Sequence, residues 1–353
     1  MAKMPPAARS GRPKPKPRMS RLTRLWLRLI DFVIDATWSA DGTLNRGVLS
    51  LLDPPVPAIS SPWCGVATRD VVIDRALCLR GRLFHPASAA AGAPAPLPVI
   101  VFFHGGGFAF FSAASLAFDV ACRRLARSAS AAVLSVDYRR APEHRFPAPY
   151  DDGLAALRFL DDDHAAAKSL HPVPLDVSRC FLAGDSAGAN IAHHVARRYA
   201  ALSLRNVRLA GLIAIQPFFG GEGRTPAELR LDGAAPIVSI TRTDWLWRAF
   251  LPPCADRTHE AANFASPAAA AGLESPAFPP VLLAVGGFDP LQDLQRRYGE
   301  MLRDKGKDVR VVEYPDAIHG FYTIPMFDDA RDLMIRIAEF VAMCGGRPAV
   351  SDL

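Results

Sequence analysis

The chain has no long uninterrupted apolar run. Its greasiest early stretch, LWLRLIDFVIDATW, is broken by Arg28, Asp31 and Asp35. That makes it too short and too charged for a membrane span or a secretory signal, so neither is expected. Cysteine is sparse and shows no pairing pattern. Cys64, Cys78, Cys122, Cys180, Cys254 and Cys344 are scattered, with no C-x-x-C and no histidine at metal-ligand spacing. They read as reduced, mostly buried thiols of an intracellular protein that needs no metal. The cytoplasm is the expected compartment, with the nucleus and the plastid left open. Acids are missing from the first 30 residues, which hold nine Lys or Arg. The formal net charge of +6 therefore arises at the start of the chain, and the remainder is mildly acidic, so no nucleic-acid partner is expected. Residues 1–20 read as a disordered basic tail, the other reading being an arm for anionic lipid, targeting or a partner.

What is present is a chain of 353 residues, half of them apolar, enough for one large α/β domain or two smaller ones. Over residues 21–37, Leu22, Leu25, Trp26, Leu29, Ile30 and Val33 recur at helical spacing and predict an amphipathic helix with one greasy face. RDVVID and ALCLRGRLFHP then read as an antiparallel hairpin. From Pro98 onward, short β-rich runs (PVIVFFH, AAVLSVDY, RCFLAGD, RLAGLIAIQPF, PVLLAVGGF, VRVVEY) alternate with helical sequence. Continuous apolar strands separated by helices predict an α/β fold with a mostly parallel sheet of about eight strands covered on both faces. The irregular segment 220–277 interrupts that rhythm and is expected to form a cap. The main domain is thus placed at 21–345, with 346–353 as a tail.

Within FLAGDSAGAN, Ser186 lies between Gly184 and Gly188, after a strand and before a helix. That context gives G-x-S-x-G its meaning, because a sharp turn there exposes the serine hydroxyl above the sheet. A serine is a weak nucleophile without a base, and the anion it creates needs donors aimed in advance. Upstream, His104-Gly105-Gly106-Gly107 follows a buried strand. The backbone amides of Gly105, Gly106 and Gly107, with that of Ala187, are the expected oxyanion hole. A phosphate cradle would need the Walker lysine or G-x-G-x-x-G, and neither is there.

Of nine histidines, His319 follows the last strand on the correct edge and is the expected base. His193 and His194 lie on the helix after the serine, His85 and His144 sit in peripheral or loop context, and His164, His171 and His259 in polar surface-like context. His104 is expected to hold the glycine loop. For the acid, Asp289 at a strand end is preferred over Asp293 and Asp316, since a strand-end carboxylate is held more rigidly. The order Ser186, Asp289, His319 is that of an α/β-hydrolase triad.

HGGGFAF with GDSAGAN, the intervening VDYRRAPEHRFPAPYDD, and GGFDPLQD with IHGFY resemble plant carboxylesterases of the hormone-sensitive-lipase group. The likeness runs from about Asp35 to Val341. It implies an α/β-hydrolase fold, a helical cap partly built by the N-terminal segment, no metal or other cofactor, and hydrolysis of short-chain esters. ADGTLNR, QPFFGGEGRT and DWLWRAFLP also resemble the gibberellin receptors, which share the fold and bind a hormone without hydrolysing it. Those receptors replace the base histidine with an apolar residue, and carry serine where this chain has Gly107 and Ala187. They have an Asp-Arg pair where this chain has Arg242-Thr243, and their pocket tyrosine is matched here by Phe118. Each departure favours an enzyme.

The expected chemistry is attack of Ser186 on an ester carbonyl with His319 as base, activity falling as pH drops through roughly 6 to 7. The partner is a small-molecule ester bearing an apolar group. Phe108, Phe110, Phe218, Trp245 and Tyr322 are expected to line its pocket, the alternative for each being an ordinary core aromatic. Nothing in the sequence indicates a protein partner or fixes an oligomeric state.

Overall fold

The computed structural model describes residues 19–39, 41–87, 96–162, 170 and 174–346. The expected basic tail, apart from Met19 and Ser20, and the final segment beyond Gly346 lie outside the described residues, as do His164 and His171.

One eight-stranded sheet organises the chain in the order β1-β2-β4-β3-β5-β6-β7-β8. The hairpin read from the sequence is β1 (Val66–Asp74) against β2 (Leu79–Pro86), and β2 also runs antiparallel to β4 (Ala132–Asp137). From there the pairing is parallel: β3 (Leu97–Phe103), β5 (Leu175–Asp185), β6 (Leu209–Ile215), β7 (Val281–Gly286) and β8 (Val309–Tyr314). β3 and β7 are buried on both faces along nearly their whole length, which is why their sequences read as continuous apolar runs. Side chains alternate across the pleat, so Val99, Val101 and Phe103 enter one core and Ile100 and Phe102 the other.

The first core is closed by α4 (Ala148–Asp161), α5 (Ala187–Tyr199) and α9 (Gln292–Asp304). The second is closed by α3 (Leu116–Ser128) and α10 (Asp328–Gly345). Three short helices interrupt the irregular segment 220–277: α6 (Pro226–Leu231), opened by a capping box between Thr225 and Glu228, α7 (Ile240–Phe250) and α8 (Pro267–Ala270). Before the sheet come α1 (Arg21–Asp35), whose first turn is capped by the Ser20 side chain, and α2 (Arg46–Leu52), capped by Asn45.

Helix α1 forms over the predicted span, but its inner face differs from the expected one. Leu22, Leu25 and Leu29 are exposed, while Leu27 and Ile34 are buried and Ile30 and Asp31 half-buried. Leu27, Ile30, Asp31 and Ile34 are spaced i, i+3, i+4, i+7, one helical stripe. The stripe is chosen by a charge: Asp31 is drawn inward by Arg242 of α7. A second correction concerns the thiols. Cys122, Cys180 and Cys344 are buried, but Cys64, Cys78 and Cys254 are exposed and lie in turns with positive φ, positions a hydropathy argument does not see.

Candidate active site

Strand β5 ends at Asp185 and α5 begins at Ala187, leaving Ser186 alone at the turn with φ 53° and ψ −120°. Such a backbone costs about 1–3 kcal/mol and persists only where surroundings over-determine it. Here the Ser186 amide donates to the Ile215 carbonyl at 2.9 Å, and the Ser186 carbonyl accepts from the Phe218 amide at 2.9 Å. The flanking glycines are required by close approach. A Cβ on Gly184 would strike the Gly188 backbone, and one on Gly188 would strike the Phe103 carbonyl.

The loop after β8 brings His319 to this turn, and the end of β7 supplies Asp289. His319 Nε2 lies 2.9 Å from Ser186 Oγ, and His319 Nδ1 lies 2.7 Å from Asp289 Oδ2. A carboxylate can only accept, so Nδ1 carries the proton and Nε2 is left as acceptor for the serine hydroxyl. Burial pulls the His319 pKa down, but the Asp289 charge and hydrogen bond, with a further contribution from Asp185, outweigh it and raise it above its usual value. Asp289 is wholly buried. Its Oδ1 accepts from the Leu291 amide at 2.9 Å, and its Oδ2 also accepts from Gln295 Nε2 at 2.8 Å and Gln216 Nε2 at 3.0 Å. The other two acids read from the sequence stand elsewhere. Asp293 accepts from the Ala227 amide at 2.8 Å, and Asp316 is exposed.

The remaining described histidines take no part. His193 and His194 are wholly buried beneath α5, His193 Nδ1 2.9 Å from the Tyr298 hydroxyl, and burial pushes both well below the usual imidazole range. His104 is stacked on Tyr138 with ring centroids 4.2 Å apart, and its Nδ1 donates to the Gly105 carbonyl at 2.8 Å. Burial pushes it down to about 3, so it is a neutral brace for the glycine loop.

That loop folds back at once: the amides of Ala109 and Phe110 both donate to the Gly106 carbonyl. Gly106 and Gly107 have φ 103° and 60°, and a Cβ on Gly107 would collide with Leu246 of α7. The first glycine is not like the other two. The Gly105 amide lies beside the carboxyl of Asp185 and favours its charged form, and a Cβ there would run into that same carboxyl. Gly105, expected among the oxyanion donors, thus packs directly against the Ser186 turn.

Asp185 is a buried carboxyl without a cation beside it. Burial raises its pKa to about 6, partly offset by Tyr322, His319 and the Gly105 amide. Tyr322 turns its hydroxyl toward this carboxyl, although neither that hydroxyl nor Asp185 Oδ1 completes a close hydrogen bond. Tyr322 packs into the second core, unlike the four other aromatics expected in the pocket. Those four lie in the first core. Phe108 stacks on Phe250 with centroids 3.7 Å apart, Phe218 on Trp247 at 4.4 Å, and Phe110 on Trp245 at 6.0 Å. All five are buried.

The N-terminal segment is strapped across this region by polar ties. Arg242 of α7 pairs with Asp31 at 2.9 Å and Asp35 at 2.8 Å. Trp245, beside it, donates from Nε1 to the Ser39 carbonyl at 2.9 Å and meets Trp38 with ring centroids 5.3 Å apart. Arg46 of α2 donates to the Ala109 carbonyl at the end of the glycine loop, to the Ala141 carbonyl, and to Glu143. Among the described residues, no group of three or more His, Cys, Asp or Glu could hold a metal ion, and no helix is long and apolar enough to cross a membrane.

Residues 100–323 match a family described by its alpha/beta hydrolase fold. Gibberellin receptor GID1C of Arabidopsis thaliana is 42% identical over 311 residues, which cover 85% of this chain and 88% of the receptor. Carboxylesterase 20 of the same plant is 34% identical over 294 residues, 79% of this chain and 86% of the enzyme. Among solved structures, a hyperthermophilic esterase from the archaeon Pyrobaculum calidifontis superposes with a TM-score of 0.71 at 26% identity, covering 93% of this chain and 99% of its own.

Proposed function

Given that the chain belongs to the α/β-hydrolase family, beside plant carboxylesterases and gibberellin receptors, we propose that it is a serine carboxylesterase acting on short-chain or small apolar esters. The observation that carries this reading is the unbroken relay from Ser186 Oγ through both nitrogens of His319 to Asp289, at 2.9 Å and 2.7 Å. A binding protein has no need of a base against its serine.

In the reaction, Ser186 Oγ attacks the ester carbonyl carbon as its proton passes to His319 Nε2. The carbonyl oxygen becomes an anion, and the amides of Gly106, Gly107 and Ala187 donate to it. Each such donor is worth about 2.7–4 kcal/mol at the transition state in comparable enzymes. Asp289 holds Nδ1–H and stabilises the imidazolium. His319 then gives its proton to the departing alcohol, leaving an acyl-serine. Water, deprotonated by the same nitrogen, releases the acid.

A second reading, a receptor that binds a small hormone-like acid without turnover, is favoured by one observation: identity to the gibberellin receptors reaches 42%, against 34% to Carboxylesterase 20. The two readings separate on turnover of p-nitrophenyl esters with and without Ser186, since a receptor binds saturably and returns its ligand unchanged.

A further inference from the structure

Gln216, the residue after β6, has a positive φ of 43°, a conformation that a long side chain takes only under compulsion. Its backbone amide donates to the Ala284 carbonyl of β7 at 2.9 Å. Its carboxamide is fully employed. Nε2 donates to Asp289 Oδ2 at 3.0 Å and to the Ile318 carbonyl at 3.1 Å, while Oε1 accepts from the Gly320 amide at 2.8 Å. The two backbone partners flank His319 on either side. One side chain thus grips the acid and both neighbours of the base. Room for it is reserved: a Cβ on Gly286 would collide with Gln216 Nε2, so the glycine at the end of β7 leaves the space the carboxamide fills.

We propose that Gln216 is a positioning residue for the Ser186–His319–Asp289 relay, fixing the distance between the base and acid loops and sharing with His319 the same oxygen of Asp289. The proposal rests on the esterase reading for its kinetic consequences but not for its geometry. Oδ2 takes three donors at once, from His319, Gln295 and Gln216, and each uncharged donor lowers the negative charge left for the imidazolium. Removing one should strengthen the pull of Asp289 on His319. The ionisable groups near the imidazole are Asp289 and Asp185; Tyr322, Cys122 and Tyr138 sit next to Asp185 in turn.

Two variants of the full chain test this. Gln216→Met deletes both donors and the acceptor. Gln216→Glu is nearly isosteric, keeps an acceptor for Gly320 and puts a second carboxyl against Asp289. The readouts are the His319 pKa by NMR of labelled imidazole, which needs no turnover, and kcat and KM with a p-nitrophenyl ester. The expected result is a His319 pKa raised by about 0.5 or more in both variants, further in Gln216→Glu. In Gln216→Met, kcat should fall about tenfold or more with KM within about threefold. A folded variant whose His319 titration coincides with that of the wild type would overturn the proposal. If Gln216→Met fails to fold, Gln216→Glu decides. A wild type that titrates as described without hydrolysing esters would sink the esterase reading and leave the positioning role standing.

Discussion

His319 Nε2 sits 2.9 Å from Ser186 Oγ, a contact between residues 133 positions apart in the chain. It ties the end of β5 to the loop after β8, and the chemistry of the site turns on the protonation of that one nitrogen. On the proposed mechanism His319 must be neutral to act as base, and its pKa is raised above the ordinary 6.5 by Asp289 and Asp185 against the opposing effect of burial. The acid limb of kcat/KM should therefore lie above 6.5, at the upper end of the range expected from the sequence or beyond it. A pH–rate profile from 5 to 9 checks this, and a limb below 6 would contradict it.

Asp185 allows a test with two signs. Its folded pKa of about 6 lies above the usual 3.8, so the native state favours the protonated form. That preference is fully present below about 4 and is lost as pH rises through 6. Asp185→Asn, neutral throughout, should therefore gain stability over the wild type at pH 8, by up to about 3 kcal/mol, and little at pH 4. The same change removes a negative charge that raises His319, so the acid limb should move down. Urea melts at the two pH values and a pH–rate profile read both effects; stabilisation that is equal at pH 4 and 8 would refute the assignment.

Gly107 carries no side chain because α7 leaves no space for one. Gly107→Ser would press on Leu246 and impose a side chain at φ 60°, displacing an amide proposed to hold the oxyanion. A fall in kcat of about 10²–10³ is expected, as for loss of one such donor elsewhere, with KM changed far less. Retention of more than a third of kcat would show that this amide does not face the developing anion.

The strap across the site has a separable signature. Arg242 is buried and holds Asp31 and Asp35, which are partly exposed. Solvent screens those two carboxylates, so Arg242→Ala should cost only about 1–2 kcal/mol, while freeing α1 to open. Limited proteolysis within residues 19–45 should speed up severalfold before global unfolding begins. Unchanged cleavage would mean that Trp245 and Leu27 hold the segment without the ion pairs.

The sheet was legible from the sequence because inner strands such as β3 and β7 are buried on both faces and so spell a continuous apolar word. Ser186, Asp289 and His319 were legible because each stands at or shortly after the end of a strand, where position along the chain predicts position in space. What escaped depends on contacts that no local pattern encodes. Gln216 reaches Asp289 across 73 residues and Ile318 across 102. Arg242 reaches Asp31 across 211 and thereby draws that face of α1 inward. The motif suggests three equivalent glycines, and no local pattern shows that the first packs against the buried carboxyl of Asp185. Tyr322, on one turn of 3-10 helix over Phe321–Thr323, turns its hydroxyl toward Asp185 across 137 residues.

The most direct measurement is steady-state and burst release of p-nitrophenol from a p-nitrophenyl acetate-to-octanoate series, with the full chain beside Ser186→Ala and His319→Ala. The esterase account predicts turnover by the wild type, strongest with the shorter acyl chains, and a loss of about 10⁴-fold or more in each variant. Folded wild-type protein that releases p-nitrophenol no faster than Ser186→Ala would contradict it and leave the site as a place where a small molecule binds and is returned unchanged.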